Sequence, residues 1–170
     1  VTVRITGADG CELGVGEVGD LLVKGANVFP GYWQMPEKTA EDFTDDGFFR
    51  TGDQASVDAD GYVAIVGRAK DMVISGGLNV YPKEVELLID TLPGVAESAV
   101  IGLPDADFGE AVAAVVVCEP GVDLTEAAVI EHVRSRAANF KVPKKVFFVD
   151  ALPRNTMGKV QKNVLREQHG

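Results

Sequence analysis

The chain has 170 residues, with 16 lysines and arginines against 26 aspartates and glutamates, so its formal net charge at pH 7 is −10. This acidic balance argues against a nucleic-acid partner, because binding to phosphates requires a basic face. No apolar run approaches the roughly 20 residues of a transmembrane helix, so no membrane partner is expected. Cys11 and Cys118 stand far apart and outside any metal-ligand spacing. They predict reduced thiols, no metal site and a cytoplasmic location.

The charge is distributed unevenly along the chain. Residues 1–67 carry 12 acidic and 4 basic side chains, whereas 141–166 carry seven basic side chains and a single acid, Asp150. Such a basic run is either a solvated face or a segment that meets an anion. Charge alone does not choose between these two interpretations.

The predicted elements change character near residue 67. Short strands over 1–5, 20–24 and 62–66, separated by turn signals, predict a series of hairpins, and the aromatic-rich loop 27–36, including Phe29 and Trp33, is expected to pack. From residue 68 the pattern mixes strands with helices. Strands are predicted over 72–74, 95–103, 111–118 and 146–149, with a polar loop over 104–110. Helices are predicted from Pro82 to Leu92, from an N-cap at Asp123 to about Ala138, and from Gln161 to Glu167.

The first candidate site is the segment 48–53, Phe-Phe-Arg-Thr-Gly-Asp, in which an aspartate follows Thr-Gly at the end of an aromatic strand. The carboxylate of Asp53 can accept hydrogen bonds from both hydroxyls of a vicinal diol such as a ribose. The alternative is a turn aspartate that caps its own backbone.

The second candidate site lies where the composition changes. Residues 67–71, Gly-Arg-Ala-Lys-Asp, place three charges within four positions. This is typical of a hinge or of the edge of a site, since a hinge must stay solvated in more than one state. Gly76 and Gly77 follow, and their lack of side chains lets a slim ligand pass close to the backbone. An inter-domain linker with an ordinary turn is the alternative.

The third candidate site is the segment 153–159, Pro-Arg-Asn-Thr-Met-Gly-Lys. A lysine on a glycine-containing loop is a mobile point charge that can reach a phosphate or a carboxylate and stabilise a transition state that gains negative charge. The segment lacks the pattern of a Walker phosphate-binding loop, and an ordinary surface lysine is the alternative. Neither His132 nor His169 has a partner at a spacing that indicates a catalytic triad.

Together, in this order and spacing, the three clusters resemble the signature motifs of the adenylate-forming superfamily, which includes acyl-CoA synthetases, peptide-synthetase adenylation domains and luciferases. Residues 49–53 resemble the (Y/F)RTGD motif, 67–86 the GRxxDxxxxGGxxxxPxEIE motif, and 153–160 the PRxxxGKxxR signature. The resemblance covers practically the whole chain. Among the members, malonyl-CoA synthetases are the most similar, through segments 31–38 and 152–165.

The resemblance implies a two-step reaction. A carboxylate attacks the α-phosphate of Mg-ATP to give an acyl-adenylate and pyrophosphate; a small domain then rotates, and the thiol of CoA takes the acyl group and releases AMP. The implied roles are ribose binding by Asp53, assistance at the ribose and phosphates by Arg68, a hinge at Lys70, a pantetheine channel lined by Gly76 and Gly77, and adenylation by Lys159.

The resemblance also implies an α+β fold. Residues 1–67 would be the β-rich end of a large N-terminal domain, 68–70 a hinge, and 71–170 a small mobile domain with a central sheet flanked by helices. The family's phosphate-binding loop and acyl pocket lie upstream of the region seen here, so the chain is expected to be a C-terminal fragment with little activity alone. Its expected partners are a small carboxylic acid, ATP, CoA and the N-terminal domain of its parent chain, which would also supply most Mg²⁺ ligands.

Two other functions stay open at this point. One is a peptide-synthetase-type adenylation domain that loads a carrier protein, and the other is a non-catalytic nucleotide-binding module that uses the basic tail. The upstream sequence of the parent chain would separate them, because an acyl pocket and a phosphate loop are needed only by the enzymes.

Overall fold

The computed structural model describes all 170 residues and divides them into two compact units, Val1–Lys70 and Asp71–Gly170. Both units combine strands with helices, so the fold is α+β as predicted. None of the helices is long and apolar enough to cross a lipid bilayer.

The first unit is built on a four-stranded antiparallel sheet in the order β1-β2-β3-β4. Its strands are β1 (Thr2–Thr6), β2 (Gly19–Lys24), β3 (Phe49–Val57) and β4 (Val63–Arg68). Alternate residues of a strand point to opposite faces, and Ile5, Leu21 and Ala55 meet on one face as a small buried core. The predicted series of hairpins is therefore confirmed for this unit.

A short helix that the sequence analysis did not predict, α1 (Pro36–Asp42), precedes β3. Pro36 stands in its first turn, where the missing N–H costs nothing. The loop before it packs as predicted at Phe29, whose ring lies 5.0 Å from that of Tyr32 and 5.1 Å from that of Phe49. The same prediction is wrong for Trp33, which is 86 % exposed.

The second unit has a five-stranded sheet. Its strands are β5 (Val73–Ser75), β6 (Leu78–Val80), β7 (Val95–Asp105), β8 (Gly109–Cys118) and β9 (Lys145–Phe148). The antiparallel order is β6-β5-β8-β7, and β9 runs parallel to β8. The strand β7 is long because it and β8 form a continuous hairpin from Val95 to Cys118.

Helices cover both faces of this sheet, as predicted. They are α2 (Pro82–Ile89), α3 (Glu126–Arg134) and α4 (Lys162–His169). Val100 and Val116 belong to the core cluster that holds the buried residues of α2 and α3, whereas Ile101 and Val115 belong to a second cluster with Leu165 of α4. Neighbouring residues of a strand thus belong to different core clusters, which places α4 on the face opposite to α2 and α3.

Several local predictions are wrong. The helix α2 ends at Ile89 rather than at Leu92. The expected loop 104–110 is a tight turn, because β7 continues to Asp105 and β8 starts at Gly109. Pro104 is tolerated there since β7 is the edge of the sheet and its outer side needs no N–H donor. The N-cap of α3 is Thr125 rather than Asp123, with the Thr125 hydroxyl accepting from Ala128 N, and the helix ends at Arg134 instead of Ala138.

Candidate active site

Asp53 lies in an irregular stretch of β3 and not at the end of a strand. Its register against β2 slips between Leu22 and Asp20, so the residues 51–53 bulge out of the ladder. The Thr51 hydroxyl accepts from Asp53 N at 3.0 Å and donates to Leu21 O at 2.8 Å. Gly52 takes a φ of +73°, which a side chain would strain. The Thr-Gly step therefore builds the bulge that re-aims Asp53.

The bulge brings Asp53 and Arg68 together. They are directly opposite each other on β3 and β4, and Arg68 Nε lies 2.8 Å from Asp53 Oδ1. Arg68 also donates to Thr51 O at 3.2 Å. The arginine side chain is 49 % exposed, so the pair contributes little to stability. Asp53 Oδ2 forms no hydrogen bond within the chain and is the atom available to a ligand hydroxyl.

Lys70 is exposed and belongs to a 3-10 turn, Ala69–Asp71, after the last residue of β4. The boundary between the two compact units falls directly after it.

Gly76 and Gly77 form the two-residue turn between β5 and β6. Their φ angles of +58° and +80° are both in the left-handed region, as a type I′ hairpin requires. Gly76 N also donates to Phe108 O at 2.9 Å, and a Cβ on Gly76 would lie 3.1 Å from the Phe108 ring. Gly76 is thus needed for its conformation and for the approach of that ring, whereas Gly77 has open space around it.

Beside this hairpin lies a cavity of about 580 Å³. Gly76 lines it and Gly77 does not. The other lining residues come from β5, β6 and β8, from the turn at Phe108, from α3 and from the segment 139–144. Two cations, Arg134 and Lys144, are among them, so the cavity combines apolar walls with positive charge.

Lys144 lies over the Phe108 ring, with Nζ 3.3 Å from the ring centre, and 3.4 Å from Asp105 Oδ2. The ring is therefore in contact with a cation and lies close to Gly76. Neither Phe108 nor Lys144 was assigned a role from the sequence. Phe108 comes near Gly76 because β5 pairs with the start of β8, and Lys144 is held beside β8 by a hydrogen bond from its N–H to Val112 O. A linear motif encodes neither contact.

Lys159 lies at an exposed turn that is closed by an isolated bridge between Arg154 and Val160. Its backbone N–H donates to Asn155 Oδ1 at 2.9 Å. Its ammonium group forms no ion pair with any carboxylate of the chain. Lys159 does not line the cavity beside Gly76. The structure thus presents a free cation on an ordered turn.

A buried ion pair near this turn was missed by the sequence analysis. Glu86 is 7 % exposed, and its carboxylate accepts from Lys162 Nζ at 2.6 Å and from Val100 N at 3.0 Å. The signal was present in α2, where Glu86 falls on the same helical face as the buried Val85 and Ile89. A charge in an apolar stripe indicates a buried partner, because an unpaired buried carboxylate is costly.

No three His, Cys, Asp or Glu side chains lie close enough together to hold a metal ion. His132 bridges helices instead, with Nε2 2.9 Å from the Thr91 hydroxyl and 3.1 Å from Leu88 O. His169 stacks on Phe147, with ring centres 4.3 Å apart.

Comparison with protein families matches residues 84–159 to the C-terminal domain of AMP-binding enzymes. Among curated proteins, the chain is 53 % identical over 171 residues to the 3-[(3aS,4S,7aS)-7a-methyl-1,5-dioxo-octahydro-1H-inden-4-yl]propanoyl:CoA ligase of Rhodococcus jostii, covering 99 % of this chain and 33 % of the relative. The chain thus spans about a third of the length of that relative.

Two solved structures have a similar fold. ATP-bound MatB from Rhodopseudomonas palustris is 60 % identical with a TM-score of 0.93, and the match covers 99 % of this chain and 34 % of that one. The amide bond synthetase McbA from Marinactinospora thermotolerans is 36 % identical with a TM-score of 0.94, covering 99 % and 35 %. These similarities agree with the resemblance seen in the three sequence motifs.

Proposed function

We propose that this chain is the C-terminal part of an acyl-CoA synthetase, because residues 84–159 match the C-terminal domain of AMP-binding enzymes. In the proposed reaction a carboxylate oxygen attacks the α-phosphorus of ATP, the bond to the β-phosphate breaks, and pyrophosphate leaves. The sulfur of CoA then attacks the acyl carbon, the bond to AMP breaks, and the thiol proton is lost. The proposed enzyme is therefore an ATP-dependent, AMP-forming acid–thiol ligase.

The observation that carries this proposal is the geometry of Lys159. The first step brings an anionic carboxylate onto an anionic phosphate, and a cation is needed where this charge accumulates. Lys159 supplies a cation that no carboxylate of the chain neutralises, on a turn whose backbone is ordered by hydrogen bonds. Its long side chain is suited to reach such a group.

Asp53 and Arg68 are proposed to hold the nucleotide. Asp53 Oδ1 pairs with Arg68, which leaves Oδ2 to accept a ribose hydroxyl. The half-exposed guanidinium of Arg68 keeps donors free for the ribose and phosphate side of the same ligand. The two residues are proposed to act as one unit, because the ion pair fixes the orientation of the carboxylate.

The thioester step is proposed to use the surface beside Gly76 and Gly77. The bare hairpin turn accommodates a slim pantetheine chain, and Arg134 and Lys144 in the neighbouring cavity give CoA phosphates opposite charges to meet. This accounts for part of the basic segment 141–166, first explained equally well as a solvated face.

The domain roles follow from the same proposal. We assign 1–67 to the end of a large N-terminal domain, 68–70 with Lys70 to the hinge, and 71–170 to the small mobile domain. The edge strand β4 and the residue before it expose apolar side chains, with Ile65 62 % and Tyr62 75 % exposed, which suits packing against the N-terminal part of a longer chain. That part is also proposed to supply the acyl pocket and the ligands of Mg²⁺. A cytoplasmic location goes with ATP and CoA as cosubstrates.

Malonate is the proposed acid, because segments 31–38 and 152–165 resemble malonyl-CoA synthetases and because the chain is 60 % identical to MatB from Rhodopseudomonas palustris. The full-length ligase that contains this chain should convert ATP, malonate and CoA to malonyl-CoA, AMP and pyrophosphate. Measuring all three products with malonate, a long-chain fatty acid and an aromatic acid tests the proposal. Turnover of another acid in preference would overturn only the choice of malonate. Absence of AMP formation with every acid would overturn the proposed ligase function.

A second acyl acceptor is considered because the fold of this chain also matches an amide bond synthetase at a TM-score of 0.94. In that case an amine would replace the CoA thiol in the second step. Supplying the acyl-adenylate with CoA or with an amine separates the two, and faster release of AMP with CoA is expected.

A further inference from the structure

The turn that carries Lys159 is closed from the inside by one side chain. Asn155 Oδ1 accepts from Met157 N at 3.0 Å and from Lys159 N at 2.9 Å. Asn155 N in turn donates to Lys159 O at 2.9 Å, and Gly158 N donates to Asn155 O at 2.9 Å. Both backbone polar groups of Lys159 are therefore bonded to a single residue.

Two ion pairs anchor the ends of this turn to the rest of the unit. Before the turn, Arg154 pairs with Glu97 of β7 and donates to Gly158 O at 2.6 Å. After the turn, Lys162 pairs with the buried Glu86 at 2.6 Å. The second pair offsets an unfavourable position of Lys162, because a cation in the first turn of a helix opposes the helix dipole. The backbone of Lys159 is therefore held from both sides, whereas its ammonium group pairs with no carboxylate of the chain.

We infer that Asn155 is a positioning residue for the adenylation step: its side-chain oxygen sets the direction in which the Lys159 backbone presents its ammonium group. This inference rests on the proposed function of Lys159. Asn155 itself touches no reacting atom. It acts by holding the residue that does, and a displacement of about 1 Å at such a group costs on the order of a hundredfold in rate.

The test uses a matched pair of variants in the full-length ligase. Asn155→Thr keeps a side-chain oxygen that can accept a backbone N–H in a turn. Asn155→Val introduces a side chain of nearly the same shape as threonine that lacks the oxygen. The pair therefore differs in the hydrogen bond and hardly in volume or branching. Asn155→Ser and Asn155→Ala form a second pair, which replaces the first if a β-branched residue prevents folding.

The two half-reactions are measured separately. Adenylation is followed by exchange of labelled pyrophosphate into ATP, and thioester formation by release of AMP from supplied acyl-adenylate and CoA. In Asn155→Val the adenylation kcat should fall about 10- to 100-fold, whereas Asn155→Thr should stay within about threefold of the parent enzyme. The KM for ATP should be unchanged in both variants, because the nucleotide is held by other residues. The thioester step should also be unchanged.

Equal adenylation rates for Asn155→Val and Asn155→Thr would overturn the inference. So would a parallel loss of both half-reactions with a lowered Tm, because that result describes a general structural role. Lys159→Ala, measured alongside, keeps the two claims apart. If it abolishes adenylation while both Asn155 variants stay active, only the positioning role is wrong; if it leaves adenylation intact, the proposed role of Lys159 is wrong.

Discussion

Asp53 obtains its position from the two residues before it. Thr51 ties the bulge to β2 through Leu21 O, and Gly52 supplies the positive φ that the bulge requires. The (Y/F)RTGD pattern is therefore a local device for setting one carboxylate against Arg68 of the neighbouring strand. The sequence singled out Asp53 as a candidate but did not predict the bulge, because a slip in register depends on the partner strand.

At this scale the proposed ribose role of Asp53 makes a direct prediction. In the full-length ligase, Asp53→Ala should raise the KM for ATP about tenfold or more, since a hydrogen bond to a charged acceptor is lost. The parent enzyme should lose a comparable amount with an ATP analogue that lacks the ribose hydroxyls. The variant should show little further loss with that analogue. Additive losses would contradict a contact between Asp53 and the ribose.

Asp105 provides a prediction on pH. Hydrogen bonds from Phe108 N and then Asp107 N, both at 3.0 Å, hold the pKa of this carboxyl below its usual 3.8, and Lys144 adds to the effect. A lowered folded-state pKa means that the stabilisation is present above about pH 3.8 and is lost as the pH falls below it.

Urea unfolding at a series of pH values measures this effect. Asp105→Asn should flatten the decline in the free energy of unfolding between about pH 4 and about pH 2, because the amide does not titrate there. An identical decline in both proteins would show that Asp105 is not stabilised by its turn.

At the scale of elements, the β5–β6 hairpin requires glycine for two different reasons, a positive φ and the close approach of a neighbouring ring. Gly76→Ala and Gly77→Ala should each cost about 1–2 kcal/mol, since both positions need a positive φ. Gly76→Ala should cost about 1 kcal/mol more, because its Cβ would lie 3.1 Å from Phe108. Urea unfolding of the two variants gives the difference, and repeating it with Phe108→Ala should remove it. A difference that persists would exclude the ring as its cause.

The elements that the sequence predicted well are those with a purely local signal. Pro82 and the apolar stripe after it predict α2, and uninterrupted apolar runs predict β7 and β8. The tight turn at 106–108 was not predictable in this way. The polar residues beside it belong to strands because they pair with each other across the β7–β8 hairpin, as Asp105 does with Gly109. Thr125 and Asp123 are both competent N-caps, and tertiary packing decides between them.

The candidate sites divide in the same manner. Residue types alone pointed to Asp53, Lys159, Gly76 and Gly77. Binding a diol needs a carboxylate, binding an anion needs a cation, and the close approach of a ligand to the backbone needs glycine. The contacts that hold these residues could not be read from the motifs. Glu97 and Glu86 lie 57 and 76 residues before their partners Arg154 and Lys162, and only the folded sheet brings them together.

At the scale of the whole molecule, the two compact units differ in how much core they contain. The unit Asp71–Gly170 holds two clusters of buried apolar residues, one on each face of its sheet. The unit Val1–Lys70 has a core cluster of only three fully buried residues. Apolar burial is the main stabilising term in folding, so the two units should differ in independent stability.

Separate expression of the two units tests this difference. Residues 71–170 should unfold cooperatively in urea with dispersed amide resonances in the NMR spectrum. Residues 1–70 should show neither property, in accord with their proposed place in a larger N-terminal domain. A stable, cooperatively folded 1–70 fragment would contradict that assignment.

The central claim is that Lys159 serves the adenylation step, and separating the half-reactions of the full-length ligase tests it most directly. Lys159→Ala is compared with Lys145→Ala, a control that removes an exposed lysine from the same basic segment. We predict that Lys159→Ala slows pyrophosphate exchange by at least about a hundredfold and leaves thioester formation from supplied acyl-adenylate within about threefold, with both steps intact in the control. An equal loss in both steps, or exchange at the parent rate, would contradict the account.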